Sequence, residues 1–492
     1  VLLNITNGVQ YGVHNNNNYN LSRAVLERVF LVKRGETFTR PPQPDARVFD
    51  ERMFKFKKEM RRLISTATPY TPQEFVDSYD GRKKLVYSRA LLSLHQKSLE
   101  VEDSFISAFV KAEKCNFSAK VDPAPRVIQP RSPRYNLSVG LYIKKIEHRI
   151  YRLIKKLFGA HTVAKGMNAI KCARVIKKKW DRFDEPVAIG LDASRFDQHC
   201  SDIALRWEHD IYKMFYPHDE VLDKLLKQQI YNRCYGRTPD GKIKYQTIGC
   251  RMSGDMNTGL GNCLLMCAMV YSYMSTIGIQ YELVNNGDDC VVFMERRDQH
   301  RLNTLGRWFE EMGYTMKIEP PVYTLEHVEF CQTRPVFNGT EYVMTRDPRI
   351  CCTKDLVSVK NLPDELSWRK QVNAIGQCGL SVYGNLPIFC EFYKMMDIPY
   401  QDSKRSRKRE NRSKRHGTYR EIVEGFHFLA NKANQSYARP TDEARVSFWR
   451  AFGIIPDNQI AVEEWYSQFL VAYEPGPTGE FSTIIELETL VK

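Results

Sequence analysis

At 492 residues the chain is too long for one small domain, and two to four substructures with ample core are expected. Its apolar and charged fractions, 42% and 27%, are ordinary for a soluble globular protein. A net charge of +15 favours a polyanionic partner, nucleic acid first and an anionic membrane surface second. The thirteen cysteines are odd in number, scattered and without a C-x-x-C pair, which fits buried reduced thiols in a cytosolic redox environment.

The first hundred or so residues are polar, with Asn15 to Asn18 and the proline-rich Pro41-Pro42-Gln43-Pro44. The pattern predicts an extended entry, then helices around Glu51 to Ser65 and Thr71 to Ser98. Thr71-Pro72-Gln73-Glu74 reads as a capping box with proline at the first helical position. Residues 109–134 are basic and turn-rich. Leu141, Ile143, Ile146, Ile150, Ile154 and Leu157 then recur at helical spacing, predicting one buried face under a cationic outer face.

From Val187 to Cys331 the order is strand, helix, glycine-rich loop, helix, hairpin, helix, strand, which predicts an α+β layer with helices backing an antiparallel sheet. The uncharged stretch Cys263 to Ile279 is marginal in length for a membrane span and reads as a buried helix. After Glu341 the pattern is mostly helical, interrupted by the basic run Lys404 to Arg415.

Within the α+β segment, Asp192 ends the apolar run Val187–Leu191, and Gly287-Asp288-Asp289 interrupts Tyr281–Phe293. The latter predicts a hairpin tip bending at Asn286-Gly287 or at Gly287-Asp288. Two strands that each bring an aspartate to one edge make a divalent-cation site suited to Mg²⁺ and phosphates. Asp197, five positions after Asp192, either points into the pocket or caps the helix that follows. Ser253, Thr258 and Asn262 lie on the loop and helix of Ser253-Gly254-Asp255-Met256-Asn257-Thr258-Gly259-Leu260-Gly261-Asn262. Their hydroxyl and amide groups suit a ribose 2′-OH, and the alternative is a capped helix start. Phe109 to Arg131 carries Lys111, Glu113, Lys114, Lys120, Arg126 and Arg131 on a proline-stiffened segment. Such a segment suits a triphosphate, with Glu113 tying down a neighbouring cation, or else it is a solvated basic face. Lys317 is either a proton donor to departing pyrophosphate or an ordinary surface lysine.

The order of these pieces is more specific than any one of them. Basic hairpin, D-x4-D, S-G-x3-T-x3-N, G-D-D, lysine and Glu329-Phe330-Cys331-Gln332 together resemble motifs F, A, B, C, D and E of viral RNA-dependent RNA polymerases. Tyr11-Gly12-Val13-His14-Asn15, Phe109 to Lys114 and Pro123 to Arg131 look like the polymerases of the plant tombusvirus family, carmovirus-like members included.

The resemblance implies a right-hand fold. Residues 1–108 would be an N-terminal extension and fingers, and 109–186 fingers with the basic hairpin. Palm would follow at 187–205, a fingers insertion at 206–250, palm again at 251–335, and thumb with the C-terminal region at 336–492. It implies template-directed nucleotidyl transfer from NTPs to an RNA 3′-OH, replicating a positive-strand genome. Asp192 and Asp288, with Asp289 at one remove, would hold two Mg²⁺ ions, Mn²⁺ being a substitute. Lys120 and Arg126, with Lys111 close by, would neutralise the triphosphate. Asp197, Ser253, Thr258 and Asn262 would sense the 2′-OH, and Lys317 is the candidate acid. RNA would be held by Arg131 and by Lys404, Arg405, Arg407, Lys408 and Arg409; the alternative for the run is a solubilising or nuclear-localisation-like role with no part in synthesis.

The family also implies that the chain is the C-terminal part of a replicase, which opening on Val1 fits. Template and product RNA, NTPs, an auxiliary viral replication protein and host factors are the implied partners. Membrane-bound complexes in the host cytoplasm are the implied location, anchored through a region absent from this chain, with this segment soluble alone. A reverse transcriptase is the competing enzyme, but a bulky residue near Asp197 and an apolar or aromatic residue in place of Gly287 are both missing. A basic RNA-binding scaffold would explain the charge and not the ordered carboxylates.

Overall fold

A computed structural model describes residues 2–3, 9–399, 436–475, 481–482 and 485–487. Its centre is a four-stranded antiparallel sheet in the order Tyr281–Asn285, Asp289–Glu295, Pro186–Ala193, Met316–Ile318. The two-residue period of a strand decides what each face does. Val187, Ile189 and Leu191 turn to one side and join a core built by the helices Ala46–Leu63, Pro133–Phe158 and Thr258–Ile277. Ala188, Val291 and Phe293 belong to a second core, with the helix Ala169–Trp180 and the helices after residue 348. The sheet is therefore covered on both faces. Its polar residues concentrate at the end where Asp192 lies opposite Asp289 on one neighbour and Lys317 on the other.

A second four-stranded sheet runs in the order Val127–Ile128, Ile106–Val110, Tyr231–Thr238, Gly241–Ile248. The middle pair is parallel and the outer pairs are antiparallel. The helix Asn18–Val25 covers it through Leu21, Ala24 and Val25. The hairpin formed by its last two strands has no counterpart in the sequence reading, because its outer strand alternates half-buried with exposed residues and carries little apolar signal.

Two helical expectations are met closely. The 141–157 pattern lies in Pro133–Phe158, with Ile143, Ile146, Ile150 and Ile154 buried. Thr71 and Glu74 form the reciprocal capping box. The single helix expected from Thr71 to Ser98 is instead two, Pro72–Asp77 and Gly81–Gln96. The break is made by Asp80 at the cap and by Gly81, whose φ of +57° is a glycine conformation.

Thr258–Ile277 is long and apolar enough to cross a membrane, and it is the most buried helix of the first core. The thirteen cysteines are all free, and every one except Cys115 is buried. The stretch after Glu341 is largely helical among the described residues: Pro348–Lys354, Glu365–Tyr383, Phe389–Met396, Asp442–Phe452 and Pro456–Ser467 follow the hairpin Thr333–Phe337/Tyr342–Arg346. The basic run 404–415 lies outside the described residues.

The N-terminal thread joins distant parts. Leu2 N–H donates to the Leu356 carbonyl at 2.7 Å, and the Trp368 indole donates to the Leu2 carbonyl at 2.9 Å. Tyr11–Gly12 pairs with Cys115–Asn116, and the Tyr11 hydroxyl meets Thr353 at 3.1 Å.

The core placement is checked by a contrast. Leu264→Ala removes a fully buried side chain and should cost about 2–5 kcal/mol, whereas Leu92→Ala, on a residue 66% exposed, should stay within about 0.5 kcal/mol. Guanidinium denaturation of the two variants reads the difference, and equal midpoints would contradict the packing described.

Candidate active site

Three acidic residues reach one cleft from three different local structures. Asp192 is the penultimate residue of the central strand. Asp288 sits in the turn between Tyr281–Asn285 and Asp289–Glu295, where Gly287 takes φ +97°. That turn is clamped by Asn285, whose amide donates to the Gly287 carbonyl at 2.7 Å and accepts the Gly287 N–H at 3.2 Å. Asp197 lies in the short helix Phe196–His199 just past the strand, so the capping alternative for it is not what forms. Its Oδ1 accepts the Asn262 amide at 2.8 Å.

The cleft is about 500 Å³, and its lining also includes Lys111, Arg126 and Ser253. Glu113 holds the two cations from behind, 2.7 Å from Lys111 and 3.5 Å from Arg126. Arg126 remains largely exposed, 59% of its side chain, and free to meet an anion. Ser253 Oγ accepts the Gln129 N–H at 3.1 Å, so the basic segment and the glycine loop form one wall. Gly254 makes that join possible: a Cβ there would come within 2.5 Å of Pro130 Cα.

Electrostatics in the cleft follow from burial first and from neighbouring charges second. Burial, then the Asp288 and Asp192 charges, push Asp289 up to about 7. Burial pushes Asp197 up to about 6 against the Asn262 hydrogen bond and the Arg251 charge. Asp288 keeps contact with solvent at the tip, and desolvation still raises it, with Asp192 adding and Lys165 and Arg126 opposing. Carboxylates held together this way gain from a cation. Among the described residues, however, no group of three or more His, Cys, Asp or Glu side chains is gathered tightly enough to enclose a metal ion.

Behind the cleft runs a buried chain of polar groups. Arg251 and Glu208 form an ion pair with side chains at 1% and 0% exposure. Glu208 also accepts from Tyr212 at 2.8 Å and Asn257 at 2.7 Å, and Arg251 Nε donates to Asn262 Oδ1 at 3.1 Å. Arg251 N–H donates to the Asp197 carbonyl at 2.8 Å. The ion pair thus orients both partners of the Asp197–Asn262 bond. Gly261 passes directly over it, and any Cβ there would strike the Glu208 carboxylate and the guanidinium.

Several expected site residues lie elsewhere. Arg131, expected on RNA, is sealed in the interior: it pairs with Asp255 and donates to Ser104 O and Asn232 Oδ1, each at 2.6 Å. Its charge fastens the basic segment to the glycine loop, a job its sequence neighbourhood does not distinguish from RNA binding. The Thr258 hydroxyl donates to the Met252 and Asp255 carbonyls at 2.8 and 3.0 Å, so it is committed to shaping the loop. Lys317 stands in register with Asp192, but its ammonium reaches Glu319 at 3.6 Å and lines a separate hollow with Gly190 and Arg334. Lys120 is exposed and does not line the cleft. Lys404, Arg405, Arg407, Lys408 and Arg409 lie outside the described residues.

The sequence reading missed Glu208, Arg251 and Lys165. For Glu208 a signal exists: it falls on the same helix stripe as Ala204, Leu205, Ile211 and Tyr212, where an acid demands a buried partner.

A family model described as viral RNA-dependent RNA polymerase matches residues 2–474. The RNA-directed RNA polymerase of oat chlorotic stunt virus (isolate United Kingdom) is 42% identical over 480 residues, covering 94% of this chain and 63% of the relative. That of tobacco necrosis virus (strain A) is 41% identical over 457 residues, covering 92% and 62%. That of turnip crinkle virus is 40% identical over 480 residues, covering 96% and 60%. The chain spans about six-tenths of the length of these curated relatives.

Arg251→Met leaves the Glu208 carboxylate buried and unpaired and should destabilise the protein by about 3–5 kcal/mol. The double variant Arg251→Met/Glu208→Met should regain much of that loss. Denaturation midpoints of the two variants check this, and a single variant as stable as the parent would remove the pair from its structural role.

Proposed function

Since the chain belongs to the viral RNA-dependent RNA polymerases, those of tombus- and carmoviruses among them, we propose that its cleft is where an RNA 3′-OH attacks the α-phosphorus of an incoming NTP. The observation that carries the reading is that acidic and basic side chains line one cleft without pairing with each other. Asp192, Asp197 and Asp288 line a cleft of about 500 Å³ together with Lys111 and Arg126. Acid and base here do not neutralise each other. They await a ligand that brings both an anion and cations, which a triphosphate with divalent metal does.

On this reading Asp192 and Asp288 would hold two Mg²⁺ ions, or Mn²⁺ in their place, with Asp289 behind them at the start of the neighbouring strand. When bound, the metal lowers the pKa of the attacking hydroxyl and offsets charge on the leaving group. Lys111 and Arg126 orient the phosphates, and because Glu113 already holds them little entropy is lost on binding. Asp197, Asn262 and Ser253 face the sugar. Asn262 spends its amide on Asp197, which leaves the carboxylate with acceptor capacity for a 2′-OH. Pyrophosphate departs toward the basic wall. The net charge of +15 supports template and product RNA as the macromolecular partners.

The same reading makes the central sheet the palm of a right-hand fold, the 106–248 sheet part of the fingers, and the helices after residue 348 the thumb. A positive-strand genome is the matching template. An auxiliary replication protein, host factors and membrane-bound replication complexes in the host cytoplasm complete the proposed setting.

Two measurements test the assignment. Asp192→Asn or Asp288→Asn should lower Mg²⁺-dependent incorporation of labelled UTP on a poly(A)-containing template by about 10³-fold or more while RNA binding survives. Asp289→Asn should be milder, and near-parental rates in Asp288→Asn would refute the site. Separately, Asp197→Ala or Asn262→Ala should shrink the preference for NTP over dNTP by about ten- to a hundred-fold, the worth of one lost hydrogen bond to a buried partner. An unchanged ratio in both variants would take these residues out of sugar selection.

A further inference from the structure

The cleft has one wall that none of the sequence motifs supplies. After the helix Asn18–Val25 the chain widens into a single π-helical turn, Leu26–Phe30, closed by the Leu31 N–H donating to the Leu26 carbonyl at 2.8 Å. Such turns put one extra residue into the helix and re-aim a side chain, often at functional sites. Here the residue at the centre of the turn is Arg28, and it lines the cleft alongside Lys111 and Arg126.

The turn is bolted to the loop that carries Asp197. Arg195, held at φ +49°, donates to the carbonyls of Glu27 and, at 3.2 Å, Leu31. Gln198 Nε2 donates to the same Leu31 carbonyl at 2.9 Å. A left-handed arginine costs free energy, and two side chains of one loop gripping one turn are what sustain it. The π turn and the Asp197 loop therefore form one rigid unit facing the cleft.

Arg28 itself is poorly satisfied. Its Nη2 donates to the Ala124 carbonyl at 3.1 Å, while its Nε is buried and has no partner. No carboxylate among the described residues pairs with it, since the neighbouring Glu27 is taken by Arg23 at 2.7 Å and Glu113 by Lys111 and Arg126. Burial, with the nearby Arg195 and Arg126 charges, pulls it down to about 10. Arg131 and Arg251, the structural arginines of this region, are each paired with a buried acid. Arg28 is half-buried beside two cations with a donor idle, an arrangement that is unfavourable alone and favourable once a polyanion enters.

We propose that Arg28 is a nucleotide-binding residue that contacts the triphosphate of the incoming NTP, and that the π turn carrying it is part of the nucleotide site. This rests on the polymerase reading of the cleft. The arginine would add donors to those of Lys111 and Arg126 from a segment remote in sequence from both. Its anchorage to Arg195 and Gln198 would couple phosphate contact to the position of the sugar-facing Asp197.

The test uses the 492-residue chain with Arg28→Gln and Arg28→Lys. NTP is titrated at saturating template, and inorganic tripolyphosphate, which has neither base nor sugar, serves as competitor and as a ligand for equilibrium binding with Mg²⁺. Arg28→Gln should raise KM for all four NTPs by about ten- to a hundred-fold and weaken tripolyphosphate binding by a similar factor, the worth of a charge-assisted hydrogen bond. Arg28→Lys, which keeps the charge and loses the fork, should fall between. Template affinity and the thermal midpoint should match the parent. Equal tripolyphosphate affinity in parent and variant overturns the role of Arg28 and leaves the polymerase reading standing. A raised KM with unchanged tripolyphosphate affinity also overturns it, by moving the residue to base or template. A parent chain that incorporates no nucleotide on any template overturns the polymerase reading itself. Should Arg28→Gln fail to fold, the lysine variant decides: a KM and tripolyphosphate affinity equal to the parent's overturn the proposal.

Discussion

The buried pair of Arg251 and Glu208 is the contact on which the site depends. Two charges have been taken fully out of water, which costs several kcal/mol per ion and is repaid only by tight geometry and complete hydrogen bonding. The repayment comes from Tyr212, Asn257 and Asn262, so the helix of Glu208, the glycine loop and the start of Thr258–Ile277 must all arrive for any of them to be stable. Asn262 then passes the constraint to Asp197. A largely buried carboxylate that lines the cleft is thereby positioned through Asn262 by a charge pair, and Gly261 is the one residue type that lets the helix cross above that pair.

A second constraint is the register of the central sheet. Because side chains alternate, the pairing of Asp192 with Asp289 fixes which face the acids share, and a slip of one residue would send them into the opposite core. Burial first, and the neighbouring carboxylate charges after it, raise Asp289 and Asp288, which is the electrostatic cost of this alignment. The sheet bears it because both its faces are packed: Val187, Ile189 and Leu191 on one side, Ala188, Val291 and Phe293 on the other.

Much of this was legible in the chain. The carboxylates could be placed because each ends or interrupts an apolar run, a local pattern with one structural meaning. The capping box at Thr71 and the stripe from Ile143 to Ile154 are equally local. What escaped were pairings between segments far apart in sequence. Arg131 and Arg126 look alike in the sequence, yet Asp255 turns one into a strut and Glu113 leaves the other at the surface. Thr258 kept its polarity and lost its availability to two carbonyls. The hairpin at 231–248 lacks an apolar face strong enough to announce itself, and Arg28 carries no motif at all. Charge and spacing reveal which groups can do chemistry; burial decides which are free to.

The thread that ties Leu2 to Leu356 and Trp368 has a kinetic consequence. The two ends of the Leu2–Trp368 hydrogen bond are 366 residues apart. At about 5–20 residues per second, a ribosome needs roughly 20–70 s to make the second end after the first. For that interval Leu2, buried in the finished protein, lacks the hydrogen bond that the Trp368 indole gives it, although Ala164 to Ala188 of the same core are made much earlier. The closure of the C-terminal core around Leu2 and Leu3 therefore cannot be completed before residue 368 has been made.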